Sequence, residues 1–180
     1  MIVISDTTPI ISLIKANRLD LLRKLYGKVL IPNAVYKELT ENATFTKEAK
    51  IIKDIDYLTV VAVENEKSVS VLRNVTGLDA GESEALIMYD EQKADLLLMD
   101  EHKGRSVAKQ LNVRHIGTVG VLLLAYDKDS RLQGLRFVGL MEDVRNIVDK
   151  DVDLLDISHV EDNSKIQEEI IKTGVLLYEE

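Results

Sequence analysis

The sequence of 180 residues lacks several features that would have narrowed its function at once. It contains no cysteine, which excludes disulfides and thiol chemistry. No apolar run reaches the roughly 20 residues that a membrane-spanning helix needs. The first residues resemble a strand rather than a signal peptide. These absences predict a cytoplasmic protein without membrane association.

The chain also has fewer basic than acidic residues. The chain has 23 lysines and arginines against 31 aspartates and glutamates, for a net charge of −8. This balance argues against a protein that coats nucleic acid through bulk electrostatics. It does not exclude an enzyme that contacts a phosphate backbone locally, and an acidic chain can also have its carboxylates gathered around a metal.

Motifs for nucleotide cofactors and for histidine-based metal sites are missing as well. There is no P-loop, and the segment Gly117-Thr-Val-Gly120 is not a GxGxxG motif, so nucleotide-cofactor binding has no support. The three histidines share no spacing typical of metal ligands, and we assign none of them to chemistry. They are His102, His115 and His159.

Two short apolar runs each end in an aspartate. Ile2-Val3-Ile4 leads into Ser5-Asp6, and Leu96-Leu-Leu-Met99 leads into Asp100. Apolar runs of this length with polar boundaries predict strands buried on both faces, which are typical of parallel sheets. Chemistry in open α/β sheets collects at the carboxyl ends of the strands. We therefore expect Asp6 and Asp100 to overhang one crevice if their strands are neighbours.

Predicted strands and helices alternate along most of the chain. The strands are predicted at 2–5, 29–31, 58–63, 95–99 and 113–116, and the helices at about 7–15, 19–26, 33–39, 46–56, 66–74, 80–92, 103–111 and 118–125. This alternation predicts an α/β fold with a mostly parallel central sheet and helices on both faces. Beyond residue 127 the pattern weakens, although 139–149 and 161–173 look helical and acidic.

Two glutamates can lean over the same sheet edge as the aspartates. Glu38 lies about two turns into the helix after the second strand, and Glu84 lies in the helix before the fourth strand. Several carboxylates cannot converge without compensation, because their repulsion raises their pKa values and destabilises the fold. A hard cation such as Mg²⁺ resolves this and carries waters for hydrolysis. Attack of such a water on a phosphodiester is the natural reaction, and a carboxylate can act as general base.

Each of these residues also has a structural interpretation. Asp79 and Glu82 have the spacing of a capping box, which explains Glu82 without any catalytic role. Glu84 has no such explanation, so we prefer Glu84 to Glu82 as a ligand. Asp6 and Asp100 also suit helix caps or turns.

Some neighbouring side chains are open to more than one interpretation. Lys103 and Arg105 can hold a phosphate, pair with Asp100, or lie on a solvated helix face. Ser5, Thr7 and Thr118 can orient a ligand or water, but we assign them to turns and caps. Glu38, taken alone, also fits an exposed helix position.

Five segments follow one another in a characteristic order. They are Val3-Ile-Ser-Asp6-Thr-Thr-Pro-Ile10, Ile31-Pro-Asn-Ala-Val-Tyr-Lys-Glu38-Leu39, Leu78-Asp-Ala-Gly-Glu-Ser-Glu84-Ala85, Leu98-Met-Asp-Glu-His-Lys-Gly-Arg105 and His115-Ile-Gly-Thr-Val-Gly-Val121. With these segments, over roughly residues 1–125, the chain resembles the PIN domain nucleases, specifically the prokaryotic PIN-like proteins related to VapC-type toxins. The third acidic position is a glutamate here, where the family more often has an aspartate.

The resemblance implies a three-layer α/β/α sandwich and a divalent-metal-dependent endoribonuclease. The residues implied to be catalytic and to bind Mg²⁺ or Mn²⁺ are Asp6, Glu38, Glu84 and Asp100. RNA is the implied substrate class, homodimers are frequent, and toxins of this kind pair with a small antitoxin protein. We accordingly expect a PIN-like nuclease domain at 1–126 and a C-terminal helical extension at 127–180, packed on the same domain.

Two other functions compete with a nuclease. A phosphoacceptor signalling domain also gathers aspartates at strand ends around Mg²⁺, but it needs an acidic pair after the first strand and a lysine after the fifth. Here Asp6 is a single acid, and no lysine follows Ile116. The second alternative is a catalytically silent module that keeps the PIN fold for protein contacts.

Overall fold

A computed structural model describes residues 1–128, 142–145 and 147 of the chain. The chain divides into two compact units, Met1–Val121 and Leu122–Glu180, and the sheet belongs to the first. In the second unit, residues 142–145 and 147 are helical, within the segment predicted at 139–149. The predicted helix at 161–173 lies outside the described residues. The domain division predicted from the sequence stays a prediction.

The described elements follow the alternation that the sequence predicts. The strands are β1 (Val3–Ser5), β2 (Val29–Pro32), β3 (Leu58–Val61), β4 (Leu96–Leu98) and β5 (His115–Ile116). The helices are α1 (Thr7–Lys15), α2 (Asp20–Tyr26), α3 (Asn33–Glu41), α4 (Thr46–Asp54), α5 (Glu66–Thr76), α6 (Ala80–Glu91), α7 (His102–Gln110) and α8 (Thr118–Lys128). The sequence predicts each of them to within about three residues. It does not predict the short 3₁₀ helix at Ala43–Phe45.

The five strands form one sheet in the order β3-β2-β1-β4-β5, and every described pair is parallel. The expectation of a mostly parallel sheet is confirmed. Strand β1 lies at the centre, where Ser5 pairs with Leu98 of β4. The ladder continues past the strand, since the Asp6 backbone N–H donates to the Leu98 carbonyl at 3.0 Å. Asp6 and Asp100 therefore leave neighbouring strands at the same edge.

The two central strands are covered on both faces. All residues of β1 and β4 are buried, and successive side chains of a strand point to opposite faces of the sheet. This burial is what a parallel sheet between two helical layers requires, in keeping with the predicted α/β/α sandwich. Burying side chains such as Ile4, Leu97 and Met99 contributes about 1.5–3 kcal/mol each.

The direction of the helices decides where the site lies. Helices α1, α3, α7 and α8 follow strands β1, β2, β4 and β5 closely, so each begins at the carboxyl edge of the sheet. Helix α6 leads into β4 and therefore begins near that edge too. It packs against β1, β2 and β4 as well as α3 and α5. Several helix N-termini thus meet the strand-end carboxylates, which suits anions because the N-terminus carries partial positive charge.

Candidate active site

Asp6 is the most buried acid at the carboxyl edge. It follows β1 directly and is 3% exposed. Its backbone occupies the N-cap position of α1, but its side chain makes no capping hydrogen bond. The interpretation of Asp6 as a helix cap is therefore wrong for its side chain. A buried carboxylate without that bond needs another partner when it is charged.

Burial and neighbouring acids both disfavour the charged form of Asp6. Burial is the larger cause, and with the carboxylates of Asp79, Glu82 and Glu38 it raises the pKa of Asp6 from 3.8 to about 7. The backbone N–H of Thr7 offsets part of this effect. Near neutral pH, Asp6 is thus only partly ionised unless a cation compensates the cluster.

Asp79 and Glu82 form the predicted capping box at the start of α6. The Glu82 backbone N–H donates to Asp79 Oδ1 at 2.8 Å, and the Asp79 backbone N–H donates to Glu82 Oε2 at 3.0 Å. Glu82 is only 5% exposed, and burial raises its pKa, helped by the charges of Asp79 and Glu101. Because Glu82 also acts on Asp6, its capping role does not remove it from the site.

Glu84 has a structural partner that the sequence does not reveal. Its Oε2 accepts a hydrogen bond of 2.9 Å from the backbone N–H of Ala34, in the first turn of α3. Glu84 is not among the groups that raise the pKa of Asp6. The reason for preferring Glu84 to Glu82, that Glu84 has no structural role, is therefore wrong. Its assignment as a metal ligand stays a prediction.

Glu38 is held in place by a threonine from the first turn of α1. The buried Thr7 hydroxyl donates to Glu38 Oε2 at 2.7 Å, across 31 residues of sequence. Glu38 is half-buried and close enough to Asp6 to raise its pKa. Thr7 thus orients an acid of the cluster, a role beyond the turn or cap to which the sequence analysis assigns it.

Asp100 is fixed by the first residue of α8. The Thr118 backbone N–H donates to Asp100 Oδ1 at 2.7 Å, and the Thr118 hydroxyl donates to Asp100 Oδ2. The N-cap position of α7 belongs to Glu101, so the interpretation of Asp100 as the cap of that helix is wrong. Asp100 receives its donors from a helix that begins 18 residues later.

Three glycines make room for three of these carboxylates. They are Gly81 beside Asp6 Oδ1, Gly104 beside Glu82 Oε1, and Gly117 beside Asp100 Oδ1. A Cβ at these positions would lie 3.3, 2.7 and 2.6 Å from the respective oxygen. The last two distances are too short for any side chain without movement of the acid. Small residues therefore let the helices approach the acids closely.

The donor chemistry of the edge fits a hard divalent cation. All the acids offer oxygen, as Mg²⁺ and Mn²⁺ prefer, and the Asp6 cluster has carboxylates in excess of nearby cations. Across residues 1–128, 142–145 and 147, no group of three or more acids or histidines is already arranged to hold a metal ion. The residues that could hold the ion are Asp6, Glu82 and Glu38, with Asp79 and Asp100 at the same edge, while Glu84 stays a predicted ligand.

The acids at the carboxyl edge of the sheet, Asp6, Glu38, Asp79, Glu82 and Asp100, are called the acidic edge below. This edge and the fold define a class of α/β proteins whose chemistry lies at the carboxyl ends of parallel strands. A family model described as a PIN domain matches residues 2–150, and the chain belongs to this family. PIN domains are in general nucleases that use divalent metals, so a nuclease-type function follows at that level. No curated protein and no solved structure matches the chain significantly. Over the described residues, no helix has the length and apolarity to cross a membrane.

Two contributors to the candidate site have roles that the sequence analysis does not favour. It gives Asp79 only a helix cap and prefers a turn or cap for Thr118, yet Asp79 raises the pKa of Asp6 and Thr118 donates to Asp100. For Asp79 a signal was present. A helix that leads into a strand begins near that strand's carboxyl edge, so its capping residues belong beside the strand-end acids. For Thr118 the sequence allows an orienting role but does not show which acid it contacts.

Proposed function

We propose that this PIN domain protein is a divalent-metal-dependent endoribonuclease that hydrolyses phosphodiester bonds in RNA. The observation that carries the proposal is the state of Asp6. Its carboxylate is almost fully buried, its pKa is raised to about 7, and three further acids act on it. Such an arrangement costs stability in the free protein. A site that binds a cation has a physical reason to keep it.

The protein's own residues would prepare this edge for the reaction. Thr7 orients Glu38, and Thr118 holds both oxygens of Asp100. When bound, Mg²⁺ or Mn²⁺ supplies an activated water and neutralises charge on the phosphate. The burial of Glu82 and its effect on Asp6 support it as the third acid, with Glu84 as the rival.

The biological role is a further part of the proposal. The resemblance to toxins implies a small antitoxin protein that covers the acidic edge, and a homodimer. Both stay predictions. If a small reading frame adjoins the gene, expression of the protein with and without it, followed by growth and by the mass of the purified complex, would test them.

The function is tested by cleavage of a mixed single-stranded RNA. Wild type, Asp6→Asn and Asp54→Asn would be compared with Mn²⁺, with Mg²⁺ and with EDTA. Asp54 is an exposed acid at the end of α4, so its variant is a matched control for loss of one carboxylate. We expect metal-dependent cleavage by wild type and control, and a loss on the order of 100-fold or more in Asp6→Asn. Equal cleavage by Asp6→Asn would contradict the proposal.

A silent binding module is the second candidate, and two observations favour it. Among the described residues the acids are not arranged as a ready group of three, and both Glu84 and Asp100 accept backbone hydrogen bonds. Calorimetric titration with Mn²⁺ separates the two functions. A nuclease binds the ion, and Asp6→Asn weakens that binding. Absence of both ion binding and cleavage would leave the silent module.

A further inference from the structure

An arginine borders the acidic edge on the side of Asp100. Arg105 lies in the first turns of α7, and its side chain is exposed. The position that a Cβ of Gly117 would occupy lies 2.6 Å from Asp100 Oδ1 and 3.7 Å from Arg105 Nη1. The guanidinium and the Asp100 carboxylate therefore flank the same point at the start of α8.

The nearby lysine has a different role. Lys103 Nζ donates to the carbonyl of Gly77 at 2.6 Å, and its charge lowers the pKa of Glu82 against the effect of burial. Gly77 ends α5 in a left-handed conformation, so Lys103 ties α7 to the turn before α6. The Lys103 ammonium therefore already has a hydrogen-bond partner within the protein.

The Arg105 guanidinium has no such hydrogen-bond partner in the part of the chain that the structure describes. No ion pair within 4.0 Å joins it to Asp100 or to another acid there, and its guanidinium makes no hydrogen bond. Both oxygens of Asp100 instead accept from Thr118. Arg105 is exposed, so its guanidinium is accessible to a ligand at the border of the site.

This placement matters because the rest of the edge is strongly negative. A nucleic acid that approaches Asp6, Glu82 and Asp100 meets repulsion, and the chain as a whole carries a net charge of −8. A guanidinium binds a phosphate through two parallel hydrogen bonds, which fix position as well as add attraction. An exposed arginine beside an acid can therefore decide where the strand lies.

We propose that Arg105 binds a backbone phosphate of the nucleic-acid substrate next to the scissile bond, on the Asp100 side of the site. The proposal rests on the proposed nuclease function and extends it with a substrate-binding residue. Lys103 supports the edge and does not bind substrate. The strand then crosses the carboxyl edge of the sheet near the starts of α7 and α8.

The test compares Arg105→Gln, Arg105→Lys and Arg114→Gln. Arg114 is exposed and precedes β5, at the opposite end of the sheet, which makes it a matched control for loss of one arginine. With a labelled single-stranded RNA and Mn²⁺, we expect Arg105→Gln to raise KM about tenfold and to change kcat less than about threefold. Arg105→Lys should recover part of the loss, and Arg114→Gln should match wild type.

A binding measurement makes the inference independent of cleavage. Fluorescence anisotropy of the same RNA with Asp6→Asn protein, at several salt concentrations, gives affinity and its salt dependence. Adding Arg105→Gln should weaken binding about tenfold and reduce the slope of log K against log salt by about 0.7, the value for one phosphate contact on a single strand. Unchanged affinity and slope would overturn the inference, even if wild type cleaves RNA.

Two further outcomes distinguish a failure of this inference from a failure of the proposed nuclease function. A fall in kcat at unchanged KM and unchanged affinity would mean that Arg105 acts through Asp100, which also overturns the inference. Wild-type protein that cleaves no RNA would count against the nuclease function. In that case the loss of affinity in Arg105→Gln would still support a phosphate-binding role.

Discussion

Asp6 and Asp100 occupy equivalent places on neighbouring strands, yet their surroundings are opposite. Asp6 is almost fully buried, is surrounded by acids, and makes no capping bond with its side chain. Asp100 is half-buried and accepts two hydrogen bonds from Thr118. The helix that meets each acid makes the difference, since α6 brings Asp79 and Glu82 to Asp6, whereas α8 brings donors to Asp100. A strand that ends in aspartate thus defines the position of the carboxylate but not its surroundings.

The largest expected effect concerns the pH dependence of stability in EDTA. Asp6 ionises near pH 4 in the unfolded chain but near pH 7 in the folded protein, so the unfolded state binds fewer protons between these values. Stability must then fall as the pH rises through this window. We expect Asp6 to contribute a loss of roughly 3 kcal/mol between pH 4.5 and pH 8, at about 1.4 kcal/mol per unit of pKa difference.

Urea denaturation of wild type, Asp6→Asn and Asp100→Asn at both pH values measures this loss. Asp6→Asn should lack it, and Asp100→Asn should keep it. Mn²⁺ at pH 8 should restore stability to wild type more than to Asp6→Asn. If the free energy of unfolding changed equally with pH in wild type and in Asp6→Asn, Asp6 would not cause the loss. That result would contradict the contrast drawn between Asp6 and Asp100.

A methyl group beside Asp100 should be the next most damaging change. Gly117→Ala places a Cβ 2.6 Å from Asp100 Oδ1, whereas Gly81→Ala places one 3.3 Å from Asp6 Oδ1. We expect Gly117→Ala to lower the free energy of unfolding by about 1–3 kcal/mol, as overpacking does, and to reduce cleavage strongly. Gly81→Ala should be milder in both respects. Denaturation and cleavage assays on the pair check the order, and the reverse order would refute the geometric explanation.

Removal of one hydroxyl should have a smaller effect. Thr118→Val keeps the backbone N–H that donates to Asp100 but removes the side-chain donor. Because Thr118 is buried and the acceptor is charged, we expect a loss of about 1–2 kcal/mol in the free energy of unfolding. Thr118→Ser, which keeps the hydroxyl, is the control. If both variants unfold at the same denaturant concentration, the hydroxyl does not hold Asp100.

The smallest expected effect separates the two glutamates of α6. Glu84→Gln keeps an acceptor for the Ala34 N–H, so its stability should change by less than about 1 kcal/mol. Its Mn²⁺ affinity should fall little, whereas Glu82→Gln should lower that affinity about tenfold or more. Calorimetric titration of both variants gives the comparison. A larger loss of affinity in Glu84→Gln would return the third acidic position to Glu84.

The sequence predicts the α/β fold and places Asp6 and Asp100 at one edge of the sheet, and the structure confirms both. Buried apolar runs, a capping box and helix-ending glycines predict the elements, because these signals depend on nearby residues. The choice between Glu82 and Glu84 was not accessible in this way. Two residues apart on a helix, they point about 200° apart. Which side faces Asp6 depends on how α6 packs against α3 and β1, a property of the tertiary structure.

The pairing of β1 with β4 has a consequence for the order of events during synthesis. Ser5 can pair with Leu98 only after the intervening chain has been made, and the partner of Asp100, Thr118, follows later still. Pairing Ser5 with Leu98 closes a large loop, and the loss of chain entropy comes before the contacts form. Such long-range pairings therefore form late in folding. A growing chain on the ribosome thus exposes Asp6 early but lacks a complete acidic edge until most of the domain has emerged. On the proposed function, a nascent chain that does not yet include Thr118 lacks one of the residues that hold the acidic edge.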